Sequence, residues 1–260
     1  MKAVSAIFFI TTMFLSSLWI GCNTPSSTSP ITRKGISLSS IYSTAPAISR
    51  SMIPKMNVAG GSSSIDSIRI SRARFVLLNV ELKHATDSLR SEGDSVDFNP
   101  APIVMDINLL LGVTTLAVTD APLGTYNRVD MEIDKVDSAE VNSLPLAERA
   151  KFKDFLTAGG SYSIIIEGKV YVSGRDTSFA FRSRIDVEMR FPLSPPLVIS
   201  ETKPSINVTI LVSSGRWFKS ASGAFLDPRD PANEATISEN LRVSLQPFED
   251  DDKDGNPDGH

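Results

Sequence analysis

Apolar residues recur at every second position along most of the chain beyond Gly35, the period that turns one side of a β-strand to a core and the other to water. The longest example sets Phe179, Phe181, Ile185, Val187, Met189 and Phe191 against Ala180, Arg182, Arg184, Asp186, Glu188 and Arg190. Before it, Tyr162, Ile164, Ile166, Val170 and Val172 share one face, and Ser173-Gly174-Arg175-Asp176 supplies a turn between the two runs. Residues 162–191 therefore predict an antiparallel hairpin with one wet face. Val129, Met131 and Ile133 alternate with charged residues, and Ile206, Val208, Ile210 and Val212 form a further strand. The segments 35–42, 103–111 and 113–118 complete the set, with Pro122 and Gly124 as turn residues before Tyr126.

Residues 65–83 are strand-like but change parity. Ile68 and Ile70 sit at even positions, Ala73, Phe75 and Leu77 at odd ones, and Leu78, Val80 and Leu82 return to even. A slip of one residue turns every side chain over, so either bulges near Arg72 and Leu77 restore the facing or the strand crosses between sheets. Both outcomes suit a β-sandwich or a barrel. Within 143–157, Ser143 caps a helix, Pro145 lies in its first turn, Leu146, Ala150, Phe155 and Leu156 form a partial stripe, and Gly159-Gly160 ends it. That helix reads as a lid over one end of the sandwich. A second helix follows Asp230 as cap and Pro231 as first residue, with Ile237, Leu241, Leu245 and Phe248 packing on the body. The segments 45–64 and 87–102, rich in Ser, Gly, Pro and Asp, read as loops.

The N-terminal stretch follows another rule. Met1-Lys2-Ala3 carries one positive charge, and 4–20 is an apolar run speckled with Ser and Thr that ends in Leu18-Trp19-Ile20-Gly21-Cys22. This is the layout of a secretory signal peptide over 1–21, too short and too polar for a spanning helix. Its close resembles the lipobox of bacterial lipoproteins, with Trp19 where leucine is usual and Leu18 one place further out. The resemblance implies cleavage before Cys22, lipidation of that cysteine, and, because Asn23 rather than an aspartate follows, transit to the outer membrane. Cys22 is the single cysteine of the chain, so no internal disulfide competes for it. Several acyl chains, at about 0.8 kcal/mol per buried CH₂, make a stable anchor. The Ser/Thr/Pro-rich 22–32 then reads as a flexible tether.

Charge narrows the partners. With Lys2 removed, 25 basic residues face 30 acidic ones, a net −5, and 249–260 holds six acids against Lys253 alone. The body is thus neutral and has no basic field for nucleic acid. Catalytic signals are sparse: His84 and His260 are the two histidines, and there is no Gly-x-Ser-x-Gly elbow. An envelope hydrolase using two acidic residues at a sandwich rim is the alternative to a non-enzymatic reading. Trp217-Phe218 reads as an aromatic seal at a sandwich end in preference to a sugar-stacking platform.

Two further resemblances add detail. The block Asp106, apolar run, Gly112, apolar strand, Leu123-Thr125-Tyr126 around Gly124, then an alternating strand, resembles a family of bacterial envelope domains of unknown function, many of them lipoproteins. It covers about 65–137 and implies an immunoglobulin-like or transthyretin-like antiparallel β-sandwich over 33–248, with one or two short helices. The acidic end, Asp250-Asp251-Asp252-Lys253-Asp254-Gly255-Asn256-Pro257-Asp258, places oxygen ligands at loop positions one, three, five and nine and glycine at six, the spacing a hard Ca²⁺ requires. It resembles thrombospondin type 3 and dockerin-like calcium repeats, although the bidentate acid at position twelve would fall one residue past His260. Asp250, Asp252, Asp254 and Asp258 are the expected ligands, and a solvated acidic end over 249–260 is the alternative. Together these features predict a lipid-anchored structural or ligand-binding module of the cell envelope. Its partners would be the membrane, through the lipid, and a glycan or an envelope protein.

Overall fold

The parity changes within 65–83 resolve into a single long strand with register breaks along it. In the computed structural model, which describes residues 35–45, 65–85, 95–99, 101–110 and 112–258, this strand pairs irregularly between Ile70 and Arg72 and again between Leu78 and Glu81. Asn79, at φ 49°, takes up the second break, and its side-chain amide donates to Glu132. The signal segment, Cys22, the tether, and residues 46–64 and 86–94 lie outside the described residues.

The strands are β1 (Gly35–Ser43), β2 (Ser67–His84), β3 (Ser95–Asn99), β4 (Ile103–Asp106), β5 (Thr114–Asp120), β6 (Gly124–Ile133), β7 (Leu156–Thr157), β8 (Gly160–Ser161), β9 (Ile164–Val172), β10 (Arg175–Ser183), β11 (Val187–Ile199), β12 (Ser205–Ser213) and β13 (Leu245–Glu249). The helices are α1 (Ser138–Ser143), α2 (Leu146–Arg149) and α3 (Glu234–Arg242). A small sheet runs β13-β12-β1-β5, and a large sheet is built on β2. Among the described residues every strand pairing is antiparallel except β1 with β12, which is parallel.

The large sheet is laid out in end-to-end lines. Leu77 has both Ile103 of β4 and Ile133 of β6 as partners, and Phe75 has both Met105 of β4 and Ile164 of β9. A strand has two edges, so β6 and β9 share one edge of β2, and β4 lies on the other. Residues 134–163 are thus an insertion into one continuous line. The run 179–191 divides likewise: β10 pairs with β9 and β11 with β6, with a break at Arg184–Asp186. The turn before β10 is the two residues Ser173 and Gly174, at φ 50° and 74°, the positive pair that matches strand twist in a tight hairpin.

Both sheets turn their apolar faces inward on one core. Ile36, Leu38, Val208, Ile210 and Val212 from the small sheet meet Phe75, Leu77, Met131, Ile133, Ile164 and Ile166 from the large one. The result is an open, mainly β sandwich. The connection from β5 to β6 is not a hairpin, because β5 pairs with β1 and β6 with β2 and β11; it crosses from one sheet to the other. The buried Tyr126 fastens this corner by donating its hydroxyl to the Pro122 carbonyl at 2.8 Å. His84 lies on the Tyr126 ring, 4.2 Å between centroids, and a Cβ at Gly124 would come within 2.6 Å of that imidazole. A side chain at that position would have to displace the imidazole.

The helices differ from their sequence-based reading. Asp137, not Ser143, caps α1: Glu140 N–H donates to Asp137 at 2.7 Å, and Asp137 N–H to the Glu140 carboxylate at 3.0 Å, a reciprocal box. Ser143 ends that helix. The insertion covers the outer face of the large sheet instead of one sandwich end, where Val141, Leu144, Phe152 and Phe155 bury Val76 and Ile165 in a second apolar cluster. Leu146 stays 81% exposed and outside it. Asp230 caps a 3-10 turn starting at Pro231, as the spacing predicts, and α3 follows. That helix stops at Arg242, so Ile237 and Leu241 lie on α3 while Leu245 and Phe248 belong to β13.

Candidate functional site

The chain past Phe248 is not a solvated end. Asp250 N–H donates to the Asn207 carbonyl at 3.0 Å and extends the β12–β13 ladder by one residue, after which 250–258 folds back over the outer face of the small sheet. That face is a row of small polar side chains. Ser37 and Ser39 hydroxyls donate to Asn207 Oδ1 at 2.7 and 2.8 Å, and Asn207 Nδ2 donates to Thr209 Oγ1 and to the Asp250 carbonyl, each at 2.8 Å. Thr209 Oγ1 donates in turn to Asp250 Oδ2 at 2.7 Å. Asp250 is fully buried, so its carboxylate is satisfied by this row and by Gly255 N–H at 3.3 Å.

The acids of the loop gather into two groups. Glu249, Asp251 and Asp258 gather on one side, and Lys203 Nζ lies 2.5 Å from Glu249 and 2.6 Å from Asp251. Burial lowers the Lys203 pKa, but hydrogen bonds with Asp251 and Glu249 outweigh it and leave the ammonium raised. Asp250, Asp252 and Asp254 gather on the other side, one oxygen from each within 4.8 Å of the others. No cationic side chain pairs with that second group among the described residues. The four expected ligands therefore separate: three converge, and Asp258 accepts from Asp251 N–H at 2.8 Å in the lysine-bound group.

The loop geometry follows from two left-handed residues, Lys253 at φ 56° and Gly255 at φ 84°. Gly255 also packs so closely that a Cβ there would fall 2.2 Å from Ile41 Cδ1. Asp252 accepts from Asp254 N–H at 3.1 Å and Asp254 from Asn256 N–H at 2.7 Å, which fixes both carboxylates and leaves oxygens for an ion. Chemically, three carboxylates in a small volume suit a hard divalent cation with oxygen ligands. Lys203, Asn207 and Thr209 were not singled out from the sequence, although uncharged polar residues at the outward positions of β1 and β12 are a sign that this face is covered.

Elsewhere, Trp217 is fully buried, edge-on to Tyr42 and Phe75, and Phe218 packs edge-on to Phe179 and Phe181; neither is a stacking platform. A groove of about 1180 Å³ opens nearby, lined by Tyr42, Tyr171, Phe225, Arg69 and Lys219 among others. Glu132, Asp134 and Asp186 form a third acidic group, at the β6–β11 line. Asp154, Asp176 and Asp227 are held below the ordinary aspartate range, chiefly by hydrogen bonds from Arg74, Lys169 and Arg229. A general acid needs the opposite shift. No family model, curated protein or solved structure matches this chain.

Proposed function

We propose that this protein is a non-enzymatic, lipid-anchored module of the cell envelope whose C-terminal loop takes Ca²⁺ and so fixes the chain end on the sandwich. The convergence of Asp250, Asp252 and Asp254, beside a neighbouring acidic group in which Lys203 already pairs with Glu249 and Asp251, carries the calcium reading. An ion there would offset three like charges and tie the exposed Asp252 and Asp254 to the buried Asp250. The lipobox-like close at Cys22 supports an anchor in the outer membrane, with 22–32 as spacer. The aromatic and polar groove beside Tyr42 supports a ligand-binding role toward a glycan or an envelope protein.

The test is a pair of thermal melts of the full chain, in millimolar Ca²⁺ and in chelator. A ligand that binds only the folded state stabilises it by RT ln(1 + [L]/Kd). With a Kd of about 10⁻⁴ to 10⁻³ M, 1 mM Ca²⁺ adds about 0.4–1.4 kcal/mol. Asp252→Asn should remove the shift, and an unshifted wild type overturns the calcium site. Cys22→Ala should release the protein from membranes, and its continued partition with detergent-soluble material overturns the anchor.

A further inference from the structure

We propose that Arg182 and Arg184, stacked on Tyr162 at the edge strand β10, form a binding site for a phosphate monoester. Arg182 lies on β10 and Arg184 just past its end, and both guanidinium groups come over the same ring. The Arg184 guanidinium carbon lies 4.9 Å and that of Arg182 5.8 Å from the centroid of the Tyr162 ring. That ring is held from behind: Tyr162 packs against the second apolar cluster, and its N–H donates to the Phe155 carbonyl at 3.0 Å. Arg184 Nη2 is fixed further by donating to the Gly159 carbonyl at 2.6 Å. Both cationic heads are thus placed before any ligand arrives, which lowers the ordering cost of binding.

Two neighbouring positive charges repel, and neither arginine has a carboxylate partner among the described residues. The concavity they border, about 370 Å³, contains a third guanidinium, Arg229, which Asp227 already neutralises through two contacts of 2.8 and 2.7 Å. Its two other acids are Asp230, whose Oδ1 accepts from Ala232 N–H at 2.9 Å, and Glu234 at the start of α3. The site therefore holds two guanidinium forks that no carboxylate among the described residues contacts directly, with Asp230 and Glu234 also in its lining. A phosphate monoester carries a charge of about −1.5 to −2 and tetrahedral acceptor oxygens, which match two forks in charge and in geometry. A single carboxylate would leave one charge unmatched. This inference goes beyond the proposed role of the groove beside Tyr42 and concerns a separate concavity.

The experiment follows the arginine Nε–H signals of the full chain by NMR at constant ionic strength, titrating inorganic phosphate against chloride. Saturating shifts confined to Arg182 and Arg184 are expected with phosphate alone. Binding should weaken about tenfold in R182Q or R184Q and vanish in the double variant, whose cooperative unfolding shows that it still folds. Equal responses to phosphate and chloride, or unchanged binding by the double variant, overturn the site. Pelleting with vesicles of phosphatidic acid or phosphatidylcholine separates the sources. A phosphatidic-acid preference lost in the double variant assigns the site to a lipid headgroup, and phosphate binding without that preference assigns it to a soluble ligand. The calcium melts report on the C-terminal loop and this titration on β10, so each proposal can fail alone.

Discussion

On the outer side of the large sheet, Val76 and Ile165 lie under Phe152 and Phe155; on the outer side of the small sheet, Ser39, Asn207 and Thr209 lie under Asp250. Each cover is a segment outside the sandwich strands, and each buries residues that alternation alone would leave in water. The first closes by removing apolar area from water, which needs no particular partner. The second closes through directed hydrogen bonds and a buried carboxylate, whose worth depends on every partner being present. An apolar cover should therefore respond to volume, and a polar one to charge, ions and backbone angle.

The largest effect is expected at the apolar cover. Phe155→Ala should cost about 3–5 kcal/mol in denaturant unfolding, through lost transfer energy and the cavity left over β2. At the polar cover, Asp250→Ala should cost about 1–3 kcal/mol, because the buried Thr209 hydroxyl loses its acceptor. Asp252→Asn, at an exposed position, should change stability in chelator by less than about 0.5 kcal/mol. Equal costs for Asp250→Ala and Asp252→Asn would dissolve the distinction between the buried and the ion-facing acids. Gly255→Ala should cost about 1–2 kcal/mol for its left-handed φ alone, with a further loss from the clash with Ile41 that Ile41→Ala relieves.

A small effect is also expected where the apolar cover contains a charge. Arg74 is 3% exposed, its Nε has no hydrogen-bond partner, its Nη1 lies 2.8 Å from Asp154, and its guanidinium sits over the Phe155 ring. Because desolvation offsets the attraction in such pairs, Arg74→Met should leave stability at pH 7 within about 1 kcal/mol. The pH dependence should differ more clearly. The hydrogen bond from Arg74 holds the Asp154 carboxyl below its ordinary value, so this pair stabilises the fold above about pH 4. That contribution disappears as pH falls through the lowered value. Melts from pH 5 downward should be steeper for wild type than for Arg74→Met; parallel curves would remove the pair as a contributor.

Much of the strand content was legible because alternation is a local property. Val129, Met131 and Ile133 are buried as their spacing implies, and the parity changes of 65–83 marked a region of real register breaks. The capping box at Asp137 and Glu140 was also written in the chain, three residues apart, yet Ser143 and Pro145 offered a competing start. Leu245 and Phe248 were assigned to a helix because spacings of four and three fit a helical stripe, whereas pairing with Val212 and Thr209 of β12 draws both into β13. Pairing across long separations is not encoded in local period.

The sequence by itself determined the β class, the core-facing side of strands such as the one with Val129, Met131 and Ile133, and the presence of a D-x-D-x-D-G acidic loop, since these depend on neighbours a few residues apart. Only the tertiary structure decided that β1 runs parallel to β12, that residues 134–163 interrupt a strand line to cover the large sheet, and that Lys203 claims Glu249 and Asp251. It alone separates Asp258 from Asp250, Asp252 and Asp254. The physical reason is that ion pairs and sheet edges form between groups brought together by the chain's long-range path, and the spacing of residues carries no record of that path.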